Sequence, residues 1–179
     1  ADLAPKQDLV DWLSRNPGEG RRAIDVACGL GDNAEALAAA GYRTTAFDLS
    51  GPAVGWARRR FPDSAVNYLL ADLFDLPREW QRAFDLVHEC HTIQTLGGQE
   101  RSGAFAVIAD LVAPGGTLLV LASLGEEGVM ASGPPWPLAP CELARFEDAG
   151  FLLVAERRFA VSWFGREYPQ VFQEWRGGV

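Results

Sequence analysis

Cysteine is scarce: the 179 residues hold only Cys28, Cys90 and Cys141. An odd count with neither CxxC nor zinc-ligand spacing excludes a disulfide framework and a structural zinc site, and fits reduced thiols in a cytoplasmic protein. Positive charge is also short. Sixteen lysines and arginines stand against 24 aspartates and glutamates, a net charge of −8, which argues against the basic surface that a nucleic-acid partner requires. No apolar run approaches the ~20 residues of a membrane span, and no signal-peptide pattern opens the chain. Repeats and low-complexity blocks are missing too. What remains has the composition of a globular protein and, over residues 1–179, the length of a single domain. Its default partner is a small molecule.

The most informative stretch runs from Ala23 to Ala34. An apolar run carrying Asp25 breaks into Ala27-Cys28-Gly29-Leu30-Gly31 and opens into an alanine-rich segment, Glu35 to Ala40. This order reads as strand, tight loop, helix. Glycines at 29 and 31 allow positive φ and a close ligand approach. In a doubly wound sheet, the turn after the first strand is where nucleotide-like ligands meet free backbone N–H groups. Gly29 to Ala34 also fits G-x-G-x-x-A, so a nicotinamide-dependent oxidoreductase is one reading of the loop.

Further strands are expected at Tyr42–Phe47, Val66–Ala71, Ala83–His91 and Thr117–Ala122, the fourth of these after the sharp Ala113-Pro114-Gly115-Gly116 turn. Helices are expected at Leu9–Leu13, from Pro52 to Phe61, over Glu100–Val112 and over Glu142–Ala149. A strand over Leu152–Phe159 and an apolar tail around Val171–Trp175 complete the chain. The whole predicts an α/β fold: a Rossmann-like, doubly wound, seven-stranded sheet, mostly parallel. Asp48 ends the second strand ~20 residues beyond the glycine loop, the place from which a carboxylate accepts both hydroxyls of an adenosine ribose; Leu49 and Ser50 follow it. His88, Glu89, Cys90 and His91 cluster at the end of the fourth strand. Alternation sends 88 and 90 to one face and 89 and 91 to the other, which argues against a shared metal. His88 and His91 are the only histidines, and a histidine there titrates near neutrality.

Asp25-x-Ala27-x-Gly29-x-Gly31 resembles the first motif of class I S-adenosylmethionine (SAM) methyltransferases, with Ala27 in place of the first glycine. Asp48, Asp72, the Phe84-Asp85-Leu86-Val87 strand and Pro114-Gly115-Gly116 follow in family order. Two segments, Phe84 to Glu89 and Gly133-Pro134-Pro135-Trp136, resemble the thiopurine, thiol and halide methyltransferase branch. The resemblance implies SAM as cofactor, a small-molecule methyl acceptor, and an antiparallel last strand. It assigns cofactor contacts to Asp25, Ala27, Cys28, Gly29, Gly31, Asn33, Asp48, Leu49, Ser50, Asp72, Leu73 and Glu89, with Asp72 accepting from the adenine amino group. Glu89, His91 and His88 are the candidate catalytic residues, His91 preferred over His88 by its parity with Glu89. Residues 1–20 are read as a short amino-terminal helix and lid, and 123–140 as a loop over the acceptor pocket. Trp12, Trp136 and Trp163 are candidate pocket walls, Trp12 alternatively a core anchor. The acceptor atom and the oligomeric state stay open, as does a SAM-binding protein without catalysis.

Overall fold

The computed structural model describes residues 3–129 and 133–178. Its centre is one seven-stranded sheet: β1 (Arg22–Val26), β2 (Arg43–Asp48), β3 (Asn67–Leu70), β4 (Phe84–Cys90), β5 (Val112–Ser123), β6 (Leu152–Trp163) and β7 (Arg166–Arg176). The order is β3-β2-β1-β4-β5-β7-β6. The first five strands are parallel, and β7 runs antiparallel between β5 and β6. The expected doubly wound sheet is therefore present. The order reverses between β1 and β4, which opens a crevice at the carboxyl ends of those strands.

Alternation along the central strands feeds two cores. Ile24, Val26, Val87, Leu118 and Val120 point to one face and pack under α4 (Gly98–Asp110), α5 (Pro140–Leu143) and α6 (Arg145–Asp148) through Phe105, Ile108, Leu143 and Phe146. Ala23, Leu86 and Leu119 point to the other, beneath α1 (Gln7–Leu13) and α2 (Asp32–Ala39). Beyond them α3 (Gly51–Arg60) packs Val54 and Ala57 against Ala46. Burial on both faces is what makes these strands read as continuous apolar runs.

Three boundaries differ from the sequence reading. α2 starts at Asp32, because Gly31 in the left-handed region (φ 91°) lets the helix open at once. The helix expected over 142–149 is two short ones meeting at Ala144. Finally, β6 and β7 form a long hairpin whose two turn residues, Phe164 and Gly165, both have positive φ (48° and 71°), as a tight turn matched to strand twist requires.

Candidate active site

The loop after β1 is held in an unusual backbone path. Ala27, Gly29 and Gly31 all adopt positive φ (50°, 54° and 91°). A Cβ built on Gly31 would lie 2.5 Å from the Tyr68 hydroxyl, whereas one on Gly29 would meet nothing within 4 Å. Gly31 is thus fixed by packing, and Gly29 faces open space. Arg60 clamps the loop from outside: its two Nη atoms donate to the Asp32 carboxylate at 2.8 and 2.6 Å, and Nη1 also donates to the Leu30 carbonyl at 2.7 Å. Tyr68 donates to Glu35 Oε1 at 2.6 Å. The Cys28 amide donates to the Phe47 carbonyl, and burial pushes its thiol pKa up.

Asp48 is oriented by the same loop. Gly29 N–H donates to its Oδ2 at 2.9 Å, and Ser50 N–H to its Oδ1 at 2.8 Å. Each oxygen keeps a lone pair for a further donor. Ser50 itself caps α3, its hydroxyl accepting from Ala53 N–H. In front of Asp48 lies a cleft of about 380 Å³ whose walls include Ala27, Phe47, Leu49, Asp72, Leu73 and His91. Leu49 is 69% exposed, and Asp72 Oδ1 accepts from Phe74 N–H at 2.9 Å. Apolar walls between two carboxylates, beside a glycine whose Cβ position is empty, suit an adenosine with its ribose hydroxyls and exocyclic amine as donors. Asn33 stands to one side, its Oδ1 accepting from Lys6 N–H and so tying the amino-terminal segment to α2.

The end of β4 corrects several sequence expectations. His88 is fully buried on the α1/α2 face, its Nδ1 2.7 Å from Oδ1 of Asp25, itself 1% exposed. Neither side chain lines the cleft, and Asp25 Oδ2 and His88 Nε2 are buried without a hydrogen-bond partner. Glu89 is also fully buried: its Oε1 accepts from the Thr92 and Ile93 amides at 2.6 and 3.1 Å. Burial pushes its carboxyl up to about 7 against the opposing pull of those two bonds. It braces the backbone turn under the cleft and does not present an oxygen at the surface. Trp12 lines neither the cleft nor the cavity beside it, but a separate hollow against Phe172 and Glu174. Its indole N–H donates to Glu174 Oε2 at 2.9 Å, and its ring packs with Leu9, Leu13 and Leu37 in the core. The side chain of Trp163 lies outside the described residues.

His91 does reach the cleft, for a reason that parity does not contain. The strand ends at Cys90 and His91 takes positive φ (62°), so both residues line the cleft. Burial raises the Cys90 thiol pKa. His91 is shifted the other way: burial holds its imidazole below the ordinary value, with the Lys6 ammonium adding to the effect. Its Nδ1 is 3.2 Å from Gln94 Oε1. That amide oxygen already accepts from Ser123 N–H at 2.6 Å, while Gln94 Nε2 donates to the Ser123 hydroxyl at 3.2 Å. The Gln94 amide is therefore fixed oxygen-first. His91 must donate through Nδ1, which assigns the tautomer that leaves the Nε2 lone pair free. Sequence reasoning missed Gln94, which sits in a short 3-10 turn (Ile93–Thr95) that carries no periodic signal.

A second cavity, about 560 Å³, adjoins the cleft through Leu96. Trp136 lines it, with its amide donating to the Gln94 carbonyl at 2.7 Å. From the 123–140 segment, Glu126 to Val129, Trp136, Pro137 and Ala139 line this cavity; positions 130–132 lie outside the described residues. Among the described residues, no group of three or more histidine, cysteine, aspartate or glutamate side chains could hold a metal ion. No described helix is long and apolar enough to cross a membrane.

The strand order, the glycine loop and the carboxylate at the end of β2 together define a class of protein, the class I SAM-dependent methyltransferases. Comparison with known proteins agrees. Residues 24–120 match the family described as "Methyltransferase domain". The chain is 31% identical over 167 residues to a ubiquinone biosynthesis O-methyltransferase of Aromatoleum aromaticum, covering 82% of this chain and 70% of that one. It is 36% identical over 86 residues to a cypemycin N-terminal methyltransferase from Streptomyces, 48% of this chain and 34% of that protein. Among solved structures, the 1,6-didemethyltoxoflavin-N1-methyltransferase of Burkholderia thailandensis superposes with TM-score 0.79 at 18% identity, over 99% of this chain and 80% of that one. A SAM-dependent methyltransferase of Methanosarcina mazei gives TM-score 0.78 at 15% identity, over 94% and 97%. The chain belongs to the methyltransferase-domain family, whose cofactor is SAM. The nicotinamide reading of the loop is thereby overturned.

Proposed function

We propose that the protein methylates a hydroxyl oxygen of a small molecule, with His91 as proton acceptor. The observation that carries this reading is the His91 imidazole at the cleft, held in the tautomer with Nε2 free and kept neutral by burial. SAM would be held by Asp48, accepting from the two ribose hydroxyls, by Asp72, accepting from the adenine amino group, and by the backbone from Gly29 to Gly31 at the methionine end. SAM supplies an electrophilic methyl group on a sulfonium, with a neutral thioether as leaving group. The protein's tasks are to align the nucleophile with that methyl and to exclude water. A hydroxyl acceptor must lose its proton on methylation, and His91 Nε2 would take it. The name of the Aromatoleum relative, an O-methyltransferase, supports oxygen as the acceptor atom. An amine acceptor is the second reading, favoured by the name of the Streptomyces relative.

Turnover of SAM to S-adenosylhomocysteine (SAH) with a panel of phenols and alcohols tests the proposal. His91→Gln should lower kcat by about a hundredfold or more while SAH affinity holds. Because the imidazole pKa is lowered, the acid limb of the wild-type rate profile should fall below pH 6.5. An unchanged kcat in His91→Gln contradicts the assignment.

A further inference from the structure

The cavity beside the cleft carries charge that the methyl-transfer chemistry does not use. Arg101 is the cationic side chain in its wall, and it is committed. Nε and Nη2 donate to the two Glu142 oxygens at 2.7 and 2.8 Å, Nη1 to the Trp136 carbonyl at 2.8 Å, and Nη2 also to the Pro137 carbonyl at 3.0 Å. This bidentate pair neutralises the guanidinium and consumes most of its donors. Glu126 and Glu127 line the same cavity and take part in no ion pair among the described residues. Both are exposed, and the Glu127 carboxylate is hydrogen-bonded by the Cys141 amide at 2.8 Å and by the Cys141 thiol. Two carboxylates are thus left uncompensated, in a molecule already at −8.

Much of the remaining wall is apolar. Leu96, Val129, Trp136 and Pro137 contribute to it, and the Trp136 ring edge lies 3.6 Å from the Cβ position of Gly97. At about 560 Å³ the space matches small-molecule sites, which pair apolar walls with a few placed polar groups. An indole and two exposed carboxylates without ion-pair partners among the described residues line one cavity, a combination that suits a cation, since an aromatic ring and carboxylates both attract positive charge. Gln94 joins this cavity to the cleft, since its side chain holds His91 and its carbonyl holds the Trp136 backbone.

We propose that this cavity selects an acceptor carrying a positively charged amine, seated by Trp136, Glu126 and Glu127 while the acceptor's nucleophile reaches the cleft past Leu96. The inference rests on the methyl-transfer reading above. An acceptor with a carboxylate at the same end is repelled.

Calorimetric titration of the full chain with SAH comes first, and failure of SAH to bind removes the methyl-transfer reading and this assignment with it. The SAH-saturated protein is then titrated with tyramine and, separately, with 3-(4-hydroxyphenyl)propionate, which keeps the ring and hydroxyl but ends in a carboxylate. Tyramine should bind at least about tenfold tighter. In the Glu126→Gln/Glu127→Gln double variant that preference should vanish while SAH affinity is unchanged. With SAH bound, an equal or reversed preference, binding of neither probe at millimolar concentration, or a preference that survives in the double variant overturns the charge assignment alone.

Discussion

Gly31 shows how tightly a single position in the loop is determined. Its φ of 91° lies in the left-handed region, and the Tyr68 hydroxyl occupies the space a side chain would need. In Gly31→Ala, left-handed strain and the displaced tyrosine should together cost roughly 2–3 kcal/mol of stability, read from the urea midpoint; a neutral effect would mean the loop is softer than its packing implies. Ala27, four positions earlier, tolerates φ of 50° with a methyl group in place. Gly31 is marked in the sequence, because glycine spacing is itself a backbone statement, whereas Ala27 stands where the motif it resembles has its first glycine. Depth is not marked. His88 and Glu89 read as reactive, yet both are fully buried, since alternation along a strand tells which face a residue takes and not how far the neighbouring helices cover it. Gln94 is invisible for a different reason: its importance lies in fixing the His91 ring from three residues away in an irregular turn.

The turn from β4 into the 3-10 segment rests on Glu89, and its buried carboxyl should make this element pH-sensitive. Its pKa rises from an ordinary 4.5 to about 7, chiefly through burial. Between those values the folded chain keeps a proton that the unfolded chain has lost, so folding is favoured below about 4.5 and the contribution is lost as pH rises through about 7. The swing is on the order of 3 kcal/mol. Glu89→Gln keeps the oxygen that accepts from the Thr92 and Ile93 amides and removes the ionisation. Urea denaturation at pH 5 and pH 8 should therefore show the wild type losing stability at the higher pH and the variant losing much less; parallel losses would contradict it. Other elements are legible in proportion to their burial. β1 to β5 read plainly as apolar runs because helices cover both faces. The β6–β7 hairpin reads in part: a strand is expected from Leu152, but neither its extension to Trp163 nor the turn is marked. Leu152 and Val154 on β6 are 73% and 55% exposed, so no alternation marks the strand, and Phe164-Gly165 is not a common turn pair.

At the scale of the molecule, a reversal of strand order between β1 and β4 creates one crevice, and the loop, Asp48, Asp72 and His91 all open onto it from the carboxyl ends of different strands. That convergence is readable because each strand announces itself locally and the order of motifs is fixed along the chain. The acceptor side is not, since its cavity is assembled from Leu96 and Trp136, forty positions apart, on segments without periodic structure. The central claim is that this crevice holds SAM through Asp48. Calorimetric titration with SAH tests it, run on the wild type and on Asp48→Asn with NADH and NADPH in parallel. SAH should bind at micromolar concentration, roughly −7 to −8 kcal/mol, and neither nicotinamide should bind. The folded variant should lose about 1–3 kcal/mol of that affinity if, as proposed, the Asp48 carboxylate accepts from the ribose hydroxyls, since an amide then replaces it. Nicotinamide binding in place of SAH, or an Asp48→Asn affinity equal to the wild type's, would contradict the claim.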